Sequence, residues 1–211
     1  MSVEIGPADI ATALHAVAAA LLAEQAILTE LDQALGDGDL GITATKLAEA
    51  LQAAAAQPGE AYLGKRLGQL GIAINRAAPS TMGTLMATTL MRAGQAVAGK
   101  LVLEPDDLAR MLAAADAGIQ ARGKAQPGDK TMIDVLHPAQ AAFAAALAAG
   151  AALPEAAAAM LAAGQEGRDR VTPLRNKVGR AGWQGERSEG KVDPGCAFAV
   201  TVLAALAGLR R

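Results

Sequence analysis

A chain of 211 residues, 52% hydrophobic and 19% charged, carries ample apolar material for one core. Only 2% of its residues are aromatic and its net charge is −2 with no basic block, which excludes a base-stacking platform and a broad polyanion-binding surface. Its one cysteine, Cys196, excludes a disulfide framework or a cysteine zinc site within the chain and reads as a small packed residue, not a nucleophile.

From Pro7 onward, Ile10, Leu14, Val17, Leu21, Leu28, Leu31 and Leu35 keep three- to four-residue spacing, interrupted by Glu24. That spacing predicts one amphipathic helix over 8–35. Asp32 shares the side of that helix on which Leu28 and Leu35 lie, so its carboxylate is expected at the end of the bundle axis. A second helix is expected over 43–56, stopped by Gln57-Pro58-Gly59, and a third over 60–77, with Leu63, Leu67, Leu70 and Ile74 on one face. Ala78-Pro79-Ser80 breaks the pattern before a fourth helix over 81–98. A fifth follows Pro105-Asp106-Asp107, with Leu108, Leu112, Ala115 and Ile119 on one face. GKAQPGDK, over 123–130, is a loop. The sixth helix, over 131–149, takes Asp129 as its cap and should kink or restart near His137 because of Pro138. A seventh spans 153–171. After a long Gly-rich, charged connection over 172–192, Asp193 and Pro194 read as N-cap and first position of an eighth helix ending near Leu209.

No period-two strand pattern occurs, so the expected fold is all-α: eight helices in an up-and-down antiparallel bundle, one domain over 1–211. The start, MSVEIGPADI, lacks the regions of a signal peptide, and charges break the apolar runs before they span a bilayer. A cytoplasmic protein that engages neither membrane nor nucleic acid is expected.

Up-and-down topology gathers the first, third, fifth and seventh connections at one end. These contain GDGDLG, APST, GKAQPGDK and GRAGWQGERSEGKVDPG, whereas the connections at the other end are short and carry few charges. Asp32, Asp37 and Asp39 place three carboxylates within eight residues, and such oxygens repel unless a cation lies among them. Mg²⁺ favours this all-oxygen ligation, completed by phosphate. A solvated Asp/Gly turn is the alternative. The N-termini of the second, fourth, sixth and eighth helices face the same mouth with unpaired N–H groups. Thr43, Ser80 and Thr81 add hydroxyls there, Arg180 and Arg187 are candidate phosphate clamps, and Gly123 with Met132 would flank a flat group such as a base. Composition and spacing thus reach a Mg²⁺-dependent nucleotide site without stating its reaction. His15 and His137 read as surface or structural residues, and Trp183 as a cover for the nucleotide or for a partner, or as an exposed loop residue.

Three separated motifs then carry a resemblance. Asp32 through Asp39 (D-x4-D-G-D), Gly128-Asp129-Lys130-Thr131-Met132 with Asp134 and Pro138, and Gly179-Arg180-Ala181 through Asp193-Pro194-Gly195 resemble the nucleotide-binding subunit L of dihydroxyacetone kinase. The same domain forms the C-terminal half of single-chain kinases of that family. The resemblance implies a closed eight-helix bundle, or barrel, with the nucleotide at one end. It implies that Asp32, Asp37 and Asp39 hold two Mg²⁺ ions bridging the phosphates of ADP or ATP. It places Leu40, Gly41, Ile42 and Thr43, then Thr81 and Met82, along the phosphates. Gly123 and Met132 match adenine-side positions, Arg180 a phosphate or ribose contact, and Asp193-Pro194-Gly195 the closing turn. No residue of the chain acts as nucleophile; the phosphoryl acceptor, a small keto-sugar, is held by a separate subunit K. In some members a phosphotransferase protein recharges a resident ADP, and in others ATP exchanges; a homodimer stays open.

The chain departs from the family at identifiable places. Leu40 stands where the family usually has histidine, Thr43 where it has asparagine, and Pro79-Ser80-Thr81-Met82-Gly83 replaces a Gly-Gly-Thr/Ala-Ser-Gly turn. Two polar groups are lost on the phosphate side while the metal carboxylates stay intact. Two rival readings therefore accompany the kinase: a non-catalytic nucleotide-binding regulator, and a Mg²⁺-dependent phosphohydrolase.

Overall fold

The computed structural model describes residues 3–57 and 61–209. Its helices are α1 (Pro7–Ala23), α2 (Gln25–Leu35), α3 (Leu40–Ala56), α4 (Leu63–Ala77), α5 (Thr81–Ala96), α6 (Pro105–Gly123), α7 (Ile133–Ala148), α8 (Leu153–Val171), α9 (Gly179–Gly182) and α10 (Pro194–Ala207), with a 3-10 turn over Gly185–Ser188. Pro58 and Gly59, expected to stop the second helix, lie outside the described residues.

The long helices form a ring. α1 packs on α3, α3 on α4, and each later long helix on the next through α8; α10 then closes against both α8 and α1. This is the expected all-α closed antiparallel bundle of eight long helical segments, with α2 prolonging the first of them. Inside it, Leu21, Leu47, Leu63, Ile74 and Phe198 belong to one buried cluster, and Ile133, Val135, Phe143, Met160 and Leu203 to another. Met82, Met86, Leu108, Leu153 and Leu206 touch both, so the core is continuous along the barrel. No single helix among the described residues is long and apolar enough to cross a membrane.

Local chemistry sets the helix starts. Prolines occupy the first turns of α1, α6, α8 and α10, where a missing N–H costs nothing. Ser80 Oγ accepts from Gly83 N at 3.1 Å to cap α5, and Asp193, the expected cap of α10, accepts through Oδ1 from Cys196 N at 2.8 Å. At α6 the buried Asp107 accepts from Glu104 N at 2.9 Å and from Lys100 Nζ at 2.7 Å, and also pairs with Arg110.

Four features differ from the sequence reading. The first helix is broken at Glu24, and α1 and α2 diverge by 59°. The bend lays α2 against the start of α3, where a Cβ on Gly41 would overlap Thr29 Oγ1. α3 begins at Leu40, three residues before the expected Thr43, because Asp32 Oδ2 accepts from Leu40 N at 3.0 Å. Asp129 does not cap α7. It accepts from Gln126 N at 2.8 Å, while Asp134, inside the first turn, accepts from Gly128 N at 2.5 Å and Thr131 N at 2.9 Å. α7 also continues through Pro138 as one helix, without a restart. Proline removes the N–H that would satisfy the Asp134 carbonyl. That carbonyl instead meets the bare Cα of Gly167 on α8: a Cβ there would overlap Asp134 O and lie 3.1 Å from Pro138 Cγ. The glycine lets α8 approach this turn of α7 more closely than any side chain would allow. Elsewhere, an antiparallel bridge joins Ile5 to Leu103, with N–O distances of 2.8 and 2.9 Å. It ties the first described residues to the α5–α6 connection.

Candidate functional site

The four polar connections do meet. At one end of the barrel they surround an open cleft of about 1030 Å³. Asp32, Asp37, Asp39 and Leu40 line one side; Ser80, Thr81 and Met82 the next; Gly123, Thr131 and Met132 the third; Arg180, Trp183, Asp193, Pro194 and Gly195 the fourth. The first turns of α3, α5, α7 and α10 all contribute lining residues. Each offers N–H groups that lack intrahelical acceptors, so the electrostatics of the cleft favour an anion beside the carboxylates.

One oxygen from each of Asp32, Asp37 and Asp39 can be chosen so that all three lie within 4.8 Å of one another. Asp32 is held by Leu40 N, whereas Asp37 is exposed and Asp39 half-buried. The donor set fits a hard divalent cation: three carboxylate oxygens, no nitrogen or sulfur, and open space on the cleft side for phosphate oxygens. A cationic stand-in is already present, because the Arg180 guanidinium pairs with Asp37 and lies 3.5 Å from Asp39 Oδ2.

Nine of the residues expected to touch a nucleotide line this cleft: Leu40, Thr81, Met82, Gly123, Met132, Arg180, Asp193, Pro194 and Gly195. Three do not. Gly41 faces α2, Ile42 is 57% exposed, and Thr43 is buried with its hydroxyl donating to Ser80 Oγ at 3.2 Å. Thr43 therefore links the starts of α3 and α5, leaving only backbone at 41–43 to face a phosphate. Leu40, in the histidine position of the related family, belongs to the core as well as to the cleft wall. Arg187 is exposed and outside the lining, and Trp183 stands at the rim, 86% exposed. His15 is exposed; His137 Nδ1 pairs with Asp116 Oδ2 at 2.7 Å, on the outer side of α6 and α7.

Beneath the fourth wall lies a polar network that the sequence reading missed. Lys130 is fully buried, adopts φ +61°, and donates through Nζ to the carbonyls of Thr172, Leu174 and Ser188 at 2.8, 2.8 and 2.6 Å. Its ammonium satisfies carbonyls at the end of α8 and of the 3-10 turn, and its charge suits a helix C-terminus. Asn176 Nδ2 donates to Lys130 O and to Asp193 Oδ2, both at 2.7 Å, and Asn176 N donates to Ser188 Oγ at 3.0 Å. Three chain segments are thereby tied together behind the Asp193 that lines the cleft. Burial lowers the pKa of Lys130, partly opposed by Asp193, and burial raises that of Asp193 against the hydrogen bond from Cys196 N. Burial and then the nearby Asp193 also push the Cys196 thiol far up, and its Sγ donates to Thr131 O at 3.1 Å, so it is no nucleophile. The only local signal for Lys130 was its place in the GDKTM motif, because its three acceptors lie 42 to 58 residues away.

A DAK2 domain family model matches residues 34–208. The chain is 30% identical over 188 residues to the PEP-dependent dihydroxyacetone kinase, ADP-binding subunit DhaL, of Escherichia coli K12, covering 87% of this chain and 88% of the relative. It is 29% identical to L-erythrulose kinase of Pectobacterium atrosepticum, covering 95% of this chain but 34% of that enzyme. Among solved structures, the dihydroxyacetone kinase of C. freundii in its native form superposes with TM-score 0.74 at 27% identity, over 96% of this chain and 35% of the other. The same kinase in complex with AMP-PNP and Mg²⁺ gives TM-score 0.72 at 26% identity, over 94% of this chain and 33% of the other.

Proposed function

This chain belongs to the DAK2 domain family, and on that premise we propose that it is the nucleotide-binding subunit of a dihydroxyacetone-type kinase. The observation that carries the reading is the convergence of Asp32, Asp37 and Asp39 with Arg180 and the Asp193–Gly195 turn at one cleft fed by four helix N-termini. The named relatives are kinases or kinase subunits, and the chemistry of the cleft suits phosphoryl transfer.

In this reading Asp32, Asp37 and Asp39 hold the divalent cations, two Mg²⁺ by analogy with the family. The cations supply neutralisation of the β- and γ-phosphate charge. The other work falls to the chain. The first turns of α3 and α5 donate N–H groups to phosphate oxygens. Arg180 offers a two-pronged donor to a terminal phosphate. Gly123 and Met132 flank the base, and Met82 lies beside the turn that ends in Gly195, whose added Cβ would come 3.7 Å from Met82 Cε. Positioning and preorganised charge perform the catalysis, with no covalent intermediate on the chain. The acceptor, a small keto-sugar, is presented by a partner subunit of the K type across the open mouth, and Trp183 at the rim is placed to meet that partner.

One experiment separates the rivals. The chain is incubated with ATP or with ADP and a phosphoryl donor protein, with and without a K subunit and dihydroxyacetone, and sugar phosphate and inorganic phosphate are measured. Sugar phosphate formed only with the partner supports the kinase. Nucleotide binding without turnover under every condition contradicts it in favour of a regulator, which the apolar Leu40 and Met82 on the cleft wall would suit. Phosphate release by the chain alone contradicts it in favour of a hydrolase.

A further inference from the structure

We propose that Arg180 is the internal counter-ion of the acidic cluster: it competes with a divalent cation for Asp37 and Asp39, and so couples cation loading to phosphate capture. The proposal rests on the cation-binding reading above and deepens it. The same Arg180 nitrogen pairs with Asp37 Oδ2 and lies 3.5 Å from Asp39 Oδ2, across 143 residues of sequence in the first case. Three other cations of its connection are engaged elsewhere. Arg175 is engaged with Glu186 and Glu189, Lys177 Nζ lies 3.4 Å from Asp129, and Lys191 Nζ reaches the Ala34 carbonyl at 3.5 Å. Arg180 alone of these brings its charge to the carboxylates.

All three partners are about half exposed, with side-chain exposures of 48% for Arg180, 49% for Asp37 and 47% for Asp39. The pair is therefore wet, weak and exchangeable, unlike the Lys130 network beneath it. Asp32, held by Leu40 N, stays in place through the exchange. A divalent ion offers these oxygens twice the charge at shorter range, so it displaces the guanidinium. Freed from Asp37 and Asp39, Arg180 faces the cleft with its donors unpaired, and a phosphate is the ligand whose geometry they match. Linkage then runs both ways. Phosphate bound to Arg180 removes the cation's competitor, so nucleotide raises cation affinity beyond what direct ligation supplies.

The test is Mn²⁺ binding followed by electron paramagnetic resonance on the whole chain without nucleotide, comparing wild type, Arg180→Ala, Arg180→Lys and Asp37→Asn. Arg180→Ala should bind Mn²⁺ roughly two- to fivefold more tightly than wild type, the range set by loss of one exposed ion pair. Arg180→Lys should lie between the two, and Asp37→Asn should lose most of the binding. Calorimetry should show ADP bound about tenfold more weakly by Arg180→Ala, the cost of one charge-assisted contact. Equal or weaker Mn²⁺ affinity in Arg180→Ala, with Asp37→Asn still defective, overturns this proposal alone. Absence of Mn²⁺ binding in both wild type and Arg180→Ala overturns the cation site and the proposal together.

Discussion

Replacing Lys130 with methionine tests whether a buried cation outside the cleft lining shapes the fourth wall of the cleft. Lys130 Nζ makes three hydrogen bonds, to Thr172 O, Leu174 O and Ser188 O. Bonds from a charged donor are worth about 1.5–3 kcal/mol each. Against them stands a desolvation cost of several kcal/mol for an ammonium with no exposed surface, which methionine does not incur. Methionine fills similar volume but leaves three carbonyls without their donor, for a net loss of about 2–4 kcal/mol. For a chain of this length that lowers Tm by roughly 5–15 °C. The variant should also lose a pH dependence. Burial holds the folded pKa of Lys130 below its ordinary 10.5, so the unfolded chain binds the extra proton between the two values. Wild-type stability therefore gains from this group as pH rises through that window, and Lys130→Met does not show the gain. Differential scanning calorimetry from pH 7 to 10 measures both effects. A Tm within 2 °C of wild type, with an unchanged slope against pH, would refute the view that this lysine binds the α8 end to the 172–188 connection.

Other perturbations follow from single contacts. Gly167→Ala drives a methyl group into the Asp134 carbonyl and the Pro138 ring, so α7 and α8 must separate, at a cost of about 1–3 kcal/mol; Gly167→Ala combined with Pro138→Ala should recover part of it, and no recovery in urea unfolding would mean that proline and glycine are not coupled. Burial alone would raise the Asp107 carboxyl, but bonds from Lys100 and Glu104 N, with the charge of Arg110, bring it below its ordinary 3.8. Its stabilisation is therefore present above pH 3.8 and lost as pH falls through the folded value; Asp107→Asn should be less stable than wild type at pH 6, with the gap closing in acid, and a gap constant from pH 6 to 3 would contradict the assignment. Cys196 should resist thiol reagents in the native chain and react on unfolding, which a colorimetric titration with and without denaturant resolves.

Much of the architecture was written in local patterns. Three- to four-residue apolar spacing, first-turn prolines and the Asp193 cap mark where helices lie, and alternation of polar with plain connections already placed the acidic loop beside the Asp193–Gly195 turn. What escaped the sequence depends on partners distant along the chain. The break at Glu24 answers to packing of α2 on Gly41, and continuity of α7 through Pro138 answers to a glycine on another helix. The Lys130–Asn176–Ser188 network joins loops whose individual residues look solvated. Asp129 was the expected cap, but the left-handed backbone at Gly128 and Lys130 turns their neighbouring N–H groups toward Asp134 instead. Thr43 carried a phosphate-side reading from the resemblance, but its hydroxyl satisfies Ser80 inside the wall.

What decides the metal reading is whether Asp32, Asp37 and Asp39 make nucleotide binding depend on a divalent cation. Isothermal titration of ADP into the wild-type chain and into Asp37→Asn, each with Mg²⁺ and with EDTA, measures this directly. Tight binding is expected only for wild type with Mg²⁺, with circular dichroism of the two proteins superimposable. Equal ADP affinity in all four titrations would contradict it.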